Sequence, residues 1–351
     1  MAAARSVITF LSTLNLHRPM RPLSRQTLVI TGATSGIGLA TARTAARKGA
    51  RLVLVARNEE ALQAITDELT SRGTHVTYCV ADVGRREDLQ QAADLAVDRF
   101  GGFDTWVNNA GVTIYGRLAE VSDEAHQRLF DTNFWGVVYG SLIAATHLRQ
   151  RGGGAIINIG SVLSDTAVPI QGMYSASKHA VKGFTDALRM ELEAERAPIS
   201  VTLVKPSAIN TPYIQHARNY LDREASLPPP VYQPEEVAHA ILFAATHPKR
   251  DIFVGSGGRL MSVANRIAPR LMDQVGEKVM IRQQTRPGHG GYAHQEGSLH
   301  RPGNDGRVHG QYPGHSMRTS YYTRASLHPV LTSSLVVAAA GLATAFVTRR
   351  R

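Results

Sequence analysis

Tyr174 and Lys178 lie four residues apart in the stretch YSASK, within a segment of helical pattern. Side chains at this spacing share one face of a helix. A phenol titrates at about 10 in water, and a neighbouring ammonium favours the phenolate and lowers the pKa of the phenol. The pair can therefore give and take a proton, as general acid–base catalysis requires. The same spacing also arises by chance on many helices.

Two further polar residues are candidates for the same chemistry. Ser161 directly follows the apolar run GAIINIG. If that run is a strand of a parallel sheet, Ser161 lies at the carboxyl edge, where ligands bind in such folds. Its hydroxyl can polarise a substrate carbonyl, although a serine there is also an ordinary helix or turn cap. Asn133, in DTNFWG, lies within a helical stretch that an amide does not favour. A surface or helix-kink residue is the simpler interpretation of Asn133.

A glycine-rich turn, TGATSGIG, contains Gly32, Gly36 and Gly38, follows the strand-like run QTLVIT and opens a helix. Residues without side chains let a pyrophosphate approach the backbone N–H groups at the positive end of a helix. A tight turn that binds nothing is the alternative. The position directly after a first strand favours dinucleotide binding.

The residues after the next strands indicate which dinucleotide binds. Arg57 follows RLVLVA, where an NAD-binding fold would carry an acidic residue for the ribose 2′-OH. A guanidinium can hold a 2′-phosphate, so Arg57 favours NADP over NAD unless it is an exposed loop residue. Asp82 and Val83 follow the third strand, where a carboxylate can reach the adenine amino group or cap a helix. NNAG, residues 108–111, leaves room for the adenine ribose or forms an ordinary turn.

Short apolar runs alternate with helical segments from about residue 26, which predicts an α/β fold with a doubly wound parallel sheet, the Rossmann fold. One catalytic domain is expected over 26–282. The predicted strands are QTLVIT, RLVLVA, THVTYCV, FDTWVN, GAIINIG and ISVTLV, with IFV at 252–254 as a seventh. Helices are expected near 37–48, 58–72, 85–99, 123–150, 173–196 and 234–246.

Charge and cysteine content narrow the function classes. Most of the net charge of +11 lies in the last 103 residues, which contain fifteen Lys/Arg and five Asp/Glu. This basic region has few aromatic residues and no regular histidine spacing, so it predicts no nucleic-acid partner. The single cysteine, Cys79, excludes an internal disulfide, fits a reducing, cytoplasmic compartment and leaves no metal site.

Three segments lie outside the expected domain. Residues 1–25 predict a flexible N-terminal extension, and 283–329, rich in Gly, His, Pro and Arg, predict a disordered basic linker. The run 330–347 is uncharged, and as a helix it would reach about 27 Å, close to a bilayer's hydrocarbon thickness. A transmembrane or interfacial helix over 330–348 is favoured over a docked helix. It would hold the protein at a membrane with its catalytic domain facing the cytoplasm.

These motifs resemble those of the classical short-chain dehydrogenases/reductases. TGATSGIG matches the family's TGxxxGxG motif, and NNAG matches its fourth-strand motif. Asn133, Ser161, Tyr174 and Lys178 fall in the order of its catalytic tetrad, and the resemblance covers about 24–260. One departure is Pro206-Ser207, where the family usually has Pro-Gly.

The resemblance implies a role for each residue of the tetrad and a homo-oligomer. Tyr174 would be the general acid in reduction and the base in oxidation, and Ser161 would hold the substrate oxygen. Lys178 would bind the nicotinamide ribose and tune Tyr174, and Asn133 would hold a water in a proton relay. The implied cofactor contacts are Gly32, Thr34, Ser35, Gly36, Ile37, Gly38, Arg57, Asp82, Val83, Asn109, Tyr174, Lys178, Ile209 and Thr211.

The substrate is expected to contact the segment after Ser161 and the loop 207–232, which are mostly apolar. Their sequences supply Met173, Ile209, Tyr213, Ile214 and Tyr220 as walls. With no arginine cluster to hold an acidic substrate, we expect a lipophilic ketone or secondary alcohol, converted with NADP(H). The alternative is a membrane-tethered NADP-binding regulatory or scaffold protein without turnover.

Overall fold

The computed structural model of the chain describes residues 20–287, 294–303, 306–329 and 332–334. Seven parallel strands form its central sheet in the order β7-β6-β5-β4-β1-β2-β3. The sheet confirms the predicted doubly wound fold, including its seventh strand. The strands are β1 (Thr27–Thr31), β2 (Arg51–Ala56), β3 (Val76–Val80), β4 (Thr105–Asn108), β5 (Gly154–Ile159), β6 (Ile199–Pro206) and β7 (Asp251–Val254).

Helices connect these strands on both faces of the sheet. Side chains alternate along the central strand, so that Leu28 and Ile30 join one apolar core and Val29 joins the other. The helices as far as β7 are α1 (Gly36–Arg47), α2 (Glu59–Ser71), α3 (Arg86–Phe100), α4 (Asp123–Phe130), α5 (Gly136–Arg151), α6 (Gly172–Ala194), α7 (Tyr213–His216) and α8 (Pro234–Ala244).

The helix predicted over 123–150 is interrupted at one place. A π-helical turn, Asp131–Trp135, lies between α4 and α5, and Asn133 within it is fully buried. Its amide hydrogen-bonds the backbone of Val112, with Val112 N–H to Oδ1 at 2.8 Å and Nδ2 to Val112 O at 2.9 Å. The wider π-helical turn therefore occurs at Asn133, the residue whose side chain ties the turn to the loop after β4.

Three more helices follow β7: α9 (Ser256–Ile267), α10 (Pro269–Val275) and α11 (Ile281–Gln283). A second π-helical turn, Gly276–Met280, joins the last two. These helices form an arm beside the carboxyl edge of the sheet. Two hydrogen bonds to Asp165, which follows β5, hold it there: Asn265 Nδ2 donates to Asp165 O at 3.0 Å and Ser262 Oγ to Asp165 Oδ2 at 3.0 Å. The sequence analysis assigned no helix to this arm.

The described part of 283–329 differs from the expected disordered linker. It contains α12 (Tyr321–Leu327), whose Thr323 and Leu327 are buried. Thr323 Oγ1 donates to Phe253 O of β7 at 3.2 Å, and Arg324 pairs with buried Glu236 at 2.9 Å. The prediction was wrong because this segment is held by hydrogen bonds and an ion pair more than by aliphatic burial.

The two predicted terminal extensions fall largely outside the described residues. Residues 1–19 are not described, while Arg21 just after them pairs with Asp104 at 3.1 Å. Of the predicted apolar helix over 330–348, only 332–334 are described. Within the described ranges, no helix combines the length and apolarity needed to cross a membrane.

Candidate active site and dinucleotide cleft

The glycine turn connects β1 to α1 at the switch point of the sheet, between β1 and β4. Gly32 and Gly36 adopt φ of 64° and 51°, which glycine reaches without strain. A Cβ on Gly38 would lie 2.0 Å from the Gly32 carbonyl oxygen. Asn109 Nδ2 donates to the carbonyls of Thr31 at 2.9 Å and Gly32 at 3.1 Å. Because the glycines carry no side chains, a phosphate group can approach the backbone at the start of α1.

An open cleft of about 990 Å³, solvent included, begins at this turn. Gly38 is packed inside the turn rather than against the cleft, and Ile209, Tyr174 and Lys178 line a second, neighbouring cleft instead. The predicted cofactor residues that line the dinucleotide cleft are Gly32, Thr34, Ser35, Gly36, Ile37, Arg57, Asp82, Val83, Asn109 and Thr211.

Arg57 lies in this cleft and is not a free loop residue. Its Nη1 donates to Leu299 O at 3.2 Å and its Nη2 to Ser298 O at 2.5 Å. Both carbonyls belong to the C-terminal region that the sequence analysis set aside as a linker. The place of Arg57 after β2 brings its guanidinium to the cleft, and the two backbone oxygens hold the guanidinium there.

Asp82 follows β3, the strand next to β2, and lines the same cleft beside Arg57. Its Oδ2 accepts from Arg128 Nη2 at 2.5 Å and its Oδ1 from Gly84 N–H at 3.0 Å. Burial alone would raise the pKa of Asp82, but these two hydrogen bonds bring the pKa below its ordinary value. The carboxylate is thus ionised and already paired, and the adenine contact suggested for Asp82 stays a prediction.

Ser161, Tyr174 and Lys178 meet at the carboxyl ends of β5 and β6. Lys178 Nζ lies 5.6 Å from the centre of the Tyr174 ring and donates to Ile159 O at 2.8 Å. Burial lowers the pKa of Lys178 to about 8. Ser161, beside them, accepts the Leu163 N–H at 3.1 Å and hydrogen-bonds the Tyr174 phenol. The structure thus brings together three of the four predicted catalytic side chains.

The pKa of Tyr174 shifts opposite to the sequence-based expectation. Burial raises the pKa, and hydrogen bonds from Tyr213 and Ser161 lower it by less. We expected the Lys178 ammonium to lower the pKa of the phenol, but that ammonium donates to the Ile159 carbonyl instead. A phenol that keeps its proton is in the form needed to act as an acid.

Asn133, the fourth predicted catalytic residue, lies behind this group. Besides its bonds to Val112, its Nδ2 donates to Ser177 Oγ at 3.2 Å. Ser177 Oγ in turn donates to Tyr174 O at 2.7 Å. Asn133 therefore fixes the backbone around the catalytic helix in this structure, and its role in a proton relay stays a prediction.

A second cleft meets the dinucleotide cleft at these residues and is mostly apolar. Of the expected walls, Ile209 and Tyr213 line it; Met173, Ile214 and Tyr220 do not. Tyr213 packs edge-on against Tyr174 with ring centres 5.8 Å apart. The departure Pro206-Ser207 also lies at this cleft. Val168 and Leu227, from the two segments expected to contact the substrate, also line it, and lining residues outside those segments include Tyr115, Met261, Met280 and Gln284.

The family model described as short chain dehydrogenase matches residues 26–221. The chain belongs to the short-chain dehydrogenase family. This confirms the resemblance expected from the motifs. The match includes the glycine turn, Arg57 and the whole predicted tetrad, and ends before the α9–α11 arm. This short-chain dehydrogenase is an oxidoreductase that acts on CH–OH groups with a nicotinamide dinucleotide.

Similar proteins extend the match in length and in fold. The uncharacterized oxidoreductase YxnA of Bacillus subtilis is 46% identical over 321 residues, 90% of this chain and 89% of YxnA. L-Sorbose reductase from Gluconobacter frateurii, complexed with NADPH and L-sorbose, has a TM-score of 0.58 at 28% identity, covering 65% of this chain and 94% of the reductase. A dehydrogenase from Burkholderia phymatum complexed with NAD has a TM-score of 0.62 at 28% identity, covering 76% and 99%.

Proposed function

We propose that this short-chain dehydrogenase interconverts a lipophilic ketone and its secondary alcohol with NADP(H). The observation that carries the proposal is the junction of the two clefts. Asn109, Gly111 and Thr211 line both, and Tyr174 with Ser161 lies where the apolar cleft reaches that junction. A cofactor in one cleft and a substrate in the other would meet at the acid that donates the proton.

The residues of the site have complementary tasks in this reaction. When bound, the nicotinamide cofactor supplies or takes up the hydride. Ser161 hydrogen-bonds the substrate oxygen, and Tyr174 donates its phenolic proton to that oxygen in reduction and accepts it in oxidation. Lys178 would bind the nicotinamide ribose and support the phenolate that remains on Tyr174. Ile209 and Thr211 would contact the carboxamide.

The preference for NADP(H) depends on Arg57. Replacing Arg57 by Gln is expected to raise the KM for NADPH by about 10- to 100-fold, because a hydrogen bond to a charged group contributes about 1.5–3 kcal/mol. The KM for NADH should change much less. Steady-state rates with both dinucleotides measure this, with the exposed Arg85 replaced by Gln as the matched control. Equal use of NADH and NADPH by the unaltered enzyme would contradict the proposed preference.

The substrate class rests on the side chains of the apolar cleft. Leu227, Met261 and Met280 supply its outer walls, and aliphatic side chains of this kind favour a substrate of low polarity. A panel of cyclic and long-chain ketones, quinones and sugars, assayed with NADPH and NADH, tests the proposal. A kcat/KM higher for sugars than for apolar ketones would show that the substrate is polar.

Membrane association is the second part of the proposal. The arm presents an exposed apolar row on α9 and α10, with Leu260 71%, Ile267 77% and Leu271 59% exposed. Arg259, Arg266, Arg270 and Lys278 lie on the same arm. Basic residues around an apolar helix face fit the surface of an anionic bilayer. Met261 and Met280 of the arm also line the apolar cleft. Docking of the arm on the cytoplasmic side of a membrane would therefore bring that cleft close to the lipid.

Vesicle binding tests the docking of the arm. Ile267→Asp is expected to weaken binding to phosphatidylserine-containing vesicles by about tenfold or more, because it places a charge in the apolar row and repels anionic lipid. Sedimentation with vesicles of phosphatidylcholine alone and with phosphatidylserine measures this. The control is Met190→Asp, at an exposed apolar site on α6. Binding that is unchanged in Ile267→Asp would rule out the arm as the docking surface.

We also propose that the protein forms a homo-oligomer. Val97, Trp135 and Leu142 are exposed on or beside α3 and α5, which pack next to each other. Apolar side chains grouped on neighbouring helices favour burial against a second copy. Light scattering of the purified protein measures the mass, and a monomer at micromolar concentration would contradict the proposal.

A further inference from the structure

A segment of the C-terminal region, which we call the strap, crosses the dinucleotide cleft; it comprises the described residues 294–303 and 306–312. On one side it bonds to the glycine turn. Gly306 N–H donates to Thr34 O at 2.8 Å, and Gly36 N–H donates to Arg307 O at 3.0 Å. The strap therefore lies against the first turn of α1, at the phosphate end of the cleft.

On the other side the strap bonds to the loop that follows β6. Ser298 N–H donates to His216 O at 2.8 Å, and Gly310 N–H donates to Asn210 O at 3.2 Å. Two of the strap's hydrogen bonds thus lie on each side of the cleft. A segment attached on both sides cannot move away from the cleft without breaking one of these sets.

Leu299 anchors the middle of the strap. Its side chain is 1% exposed and packs in the apolar cluster that contains Val112 and Leu129. Its carbonyl accepts from both Arg57 Nη1 at 3.2 Å and Arg128 Nε at 3.2 Å. One carbonyl oxygen of the strap therefore holds both the cation that follows β2 and the cation that pairs with Asp82.

The strap encloses the cleft but does not fill it. Ser298, Pro302 and Gly303 line the cleft together with Gly32 and Arg57, and the open volume remains between them. The segment lies beyond residue 221, where the family model ends. Its bonds to the cleft are mainly backbone bonds, and these do not depend on a recognisable motif.

We propose that the strap is the outer wall of the dinucleotide site: it closes over the adenosine half of the cofactor, positions Arg57, and must detach before the dinucleotide can leave. The proposal rests on the proposed function only in taking the cleft to hold a dinucleotide. It does not depend on whether that dinucleotide is NADP or NAD.

Two variants that loosen the strap test this in the full chain. Leu299→Ala removes the buried anchor, and such a truncation is expected to raise the dissociation rates of both NADPH and NADH by about tenfold or more. Gly297→Ala acts at a second point, because Gly297 has φ of 62° and its Cβ would lie 2.4 Å from the Ala217 carbonyl carbon and oxygen. Stopped-flow fluorescence measures release, and Met190→Ala, at an exposed residue of α6 that lines neither cleft, is the control.

Hydrogen exchange shows what the strap itself does. The amides of Gly306 and Gly310 should exchange more slowly with dinucleotide bound and faster in both variants, while amides of β1 stay protected if the domain is folded. Faster exchange of the strap amides on cofactor binding would mean that the cofactor displaces the strap, and would overturn the proposal. An unchanged rate of dinucleotide release from a variant whose strap amides exchange faster would also overturn the proposal. A preference for NADH would overturn the Arg57 assignment alone.

Discussion

Replacing Tyr174 by Phe is expected to lower kcat by about 10²- to 10⁴-fold, the usual contribution of a positioned general acid or base. The substitution removes only the phenolic oxygen, and the ring can still pack against Tyr213, whose centre lies 5.8 Å away. Dinucleotide affinity should stay within about twofold of the unaltered value, because the cradle for the phosphates lies on β1 and α1. Fluorescence titration and steady-state rates separate the two effects.

The pH dependence provides a second readout of the same residue. Burial raises the pKa of Tyr174 above its ordinary value, so the phenol is protonated at neutral pH. Reduction, which needs the phenol, should be sustained through neutral pH and fall at alkaline pH. Oxidation needs the phenolate and should rise with pH over the same range. The residual rates of Tyr174→Phe should show neither trend.

The control for both readouts is Tyr78→Phe, because the Tyr78 hydroxyl bonds only an exposed glutamine in the described structure, Gln63 at 2.9 Å. Its rates and pH profiles should match those of the unaltered enzyme. A Tyr174→Phe variant that retains full activity would exclude Tyr174 as the proton donor. If the unaltered protein binds dinucleotide but turns over no carbonyl or alcohol, the regulatory or scaffold alternative is favoured.

The sheet and the cleft were predictable because their signals are local. Strands buried on both faces of a parallel sheet read as apolar runs. All seven predicted runs became strands, including the half-buried edge strand β3. The glycine turn is also local, since the close approach of Gly38 to Gly32 excludes larger residues. The order of strands then brings Ser161 and Tyr174, which are distant from the turn in sequence, to the same edge of the sheet.

The strap and the direction of the Tyr174 pKa shift were not predictable in this way. The strap carries few aliphatic residues, and its contacts are largely backbone hydrogen bonds such as Gly306 to Thr34. Such bonds leave no periodic pattern in a sequence. For Tyr174, the sequence places Lys178 nearby but does not show that both side chains are buried or that the ammonium donates to Ile159 O. Burial and competing acceptors depend on the assembled fold.

Replacing Gly38 by Ala is expected to abolish dinucleotide binding and to lower the free energy of unfolding by about 3 kcal/mol, as overpacking of a tight site does. The added Cβ would lie 2.0 Å from the Gly32 carbonyl oxygen and 2.6 Å from Asn109 Nδ2. The oxygen is backbone and cannot swing away. Relief of the clash must therefore move β1 and α1 apart. This movement would also displace the Asn109 side-chain amide, which ties the turn to the end of β4.

Gly183→Ala is the matched control for Gly38→Ala. Gly183 lies in α6, and outside its own helical turn no heavy atom of the described residues lies within 4 Å of the position that an added methyl group would take. Alanine there should therefore be neutral or stabilise the helix by about 0.5–1 kcal/mol. Denaturant unfolding and dinucleotide titration of both variants measure the effects. Dinucleotide binding by Gly38→Ala as tight as that by Gly183→Ala would contradict the prediction. It would mean that the turn relaxes without loss of affinity, and that the close contact between α1 and the end of β1 does not shape the phosphate site.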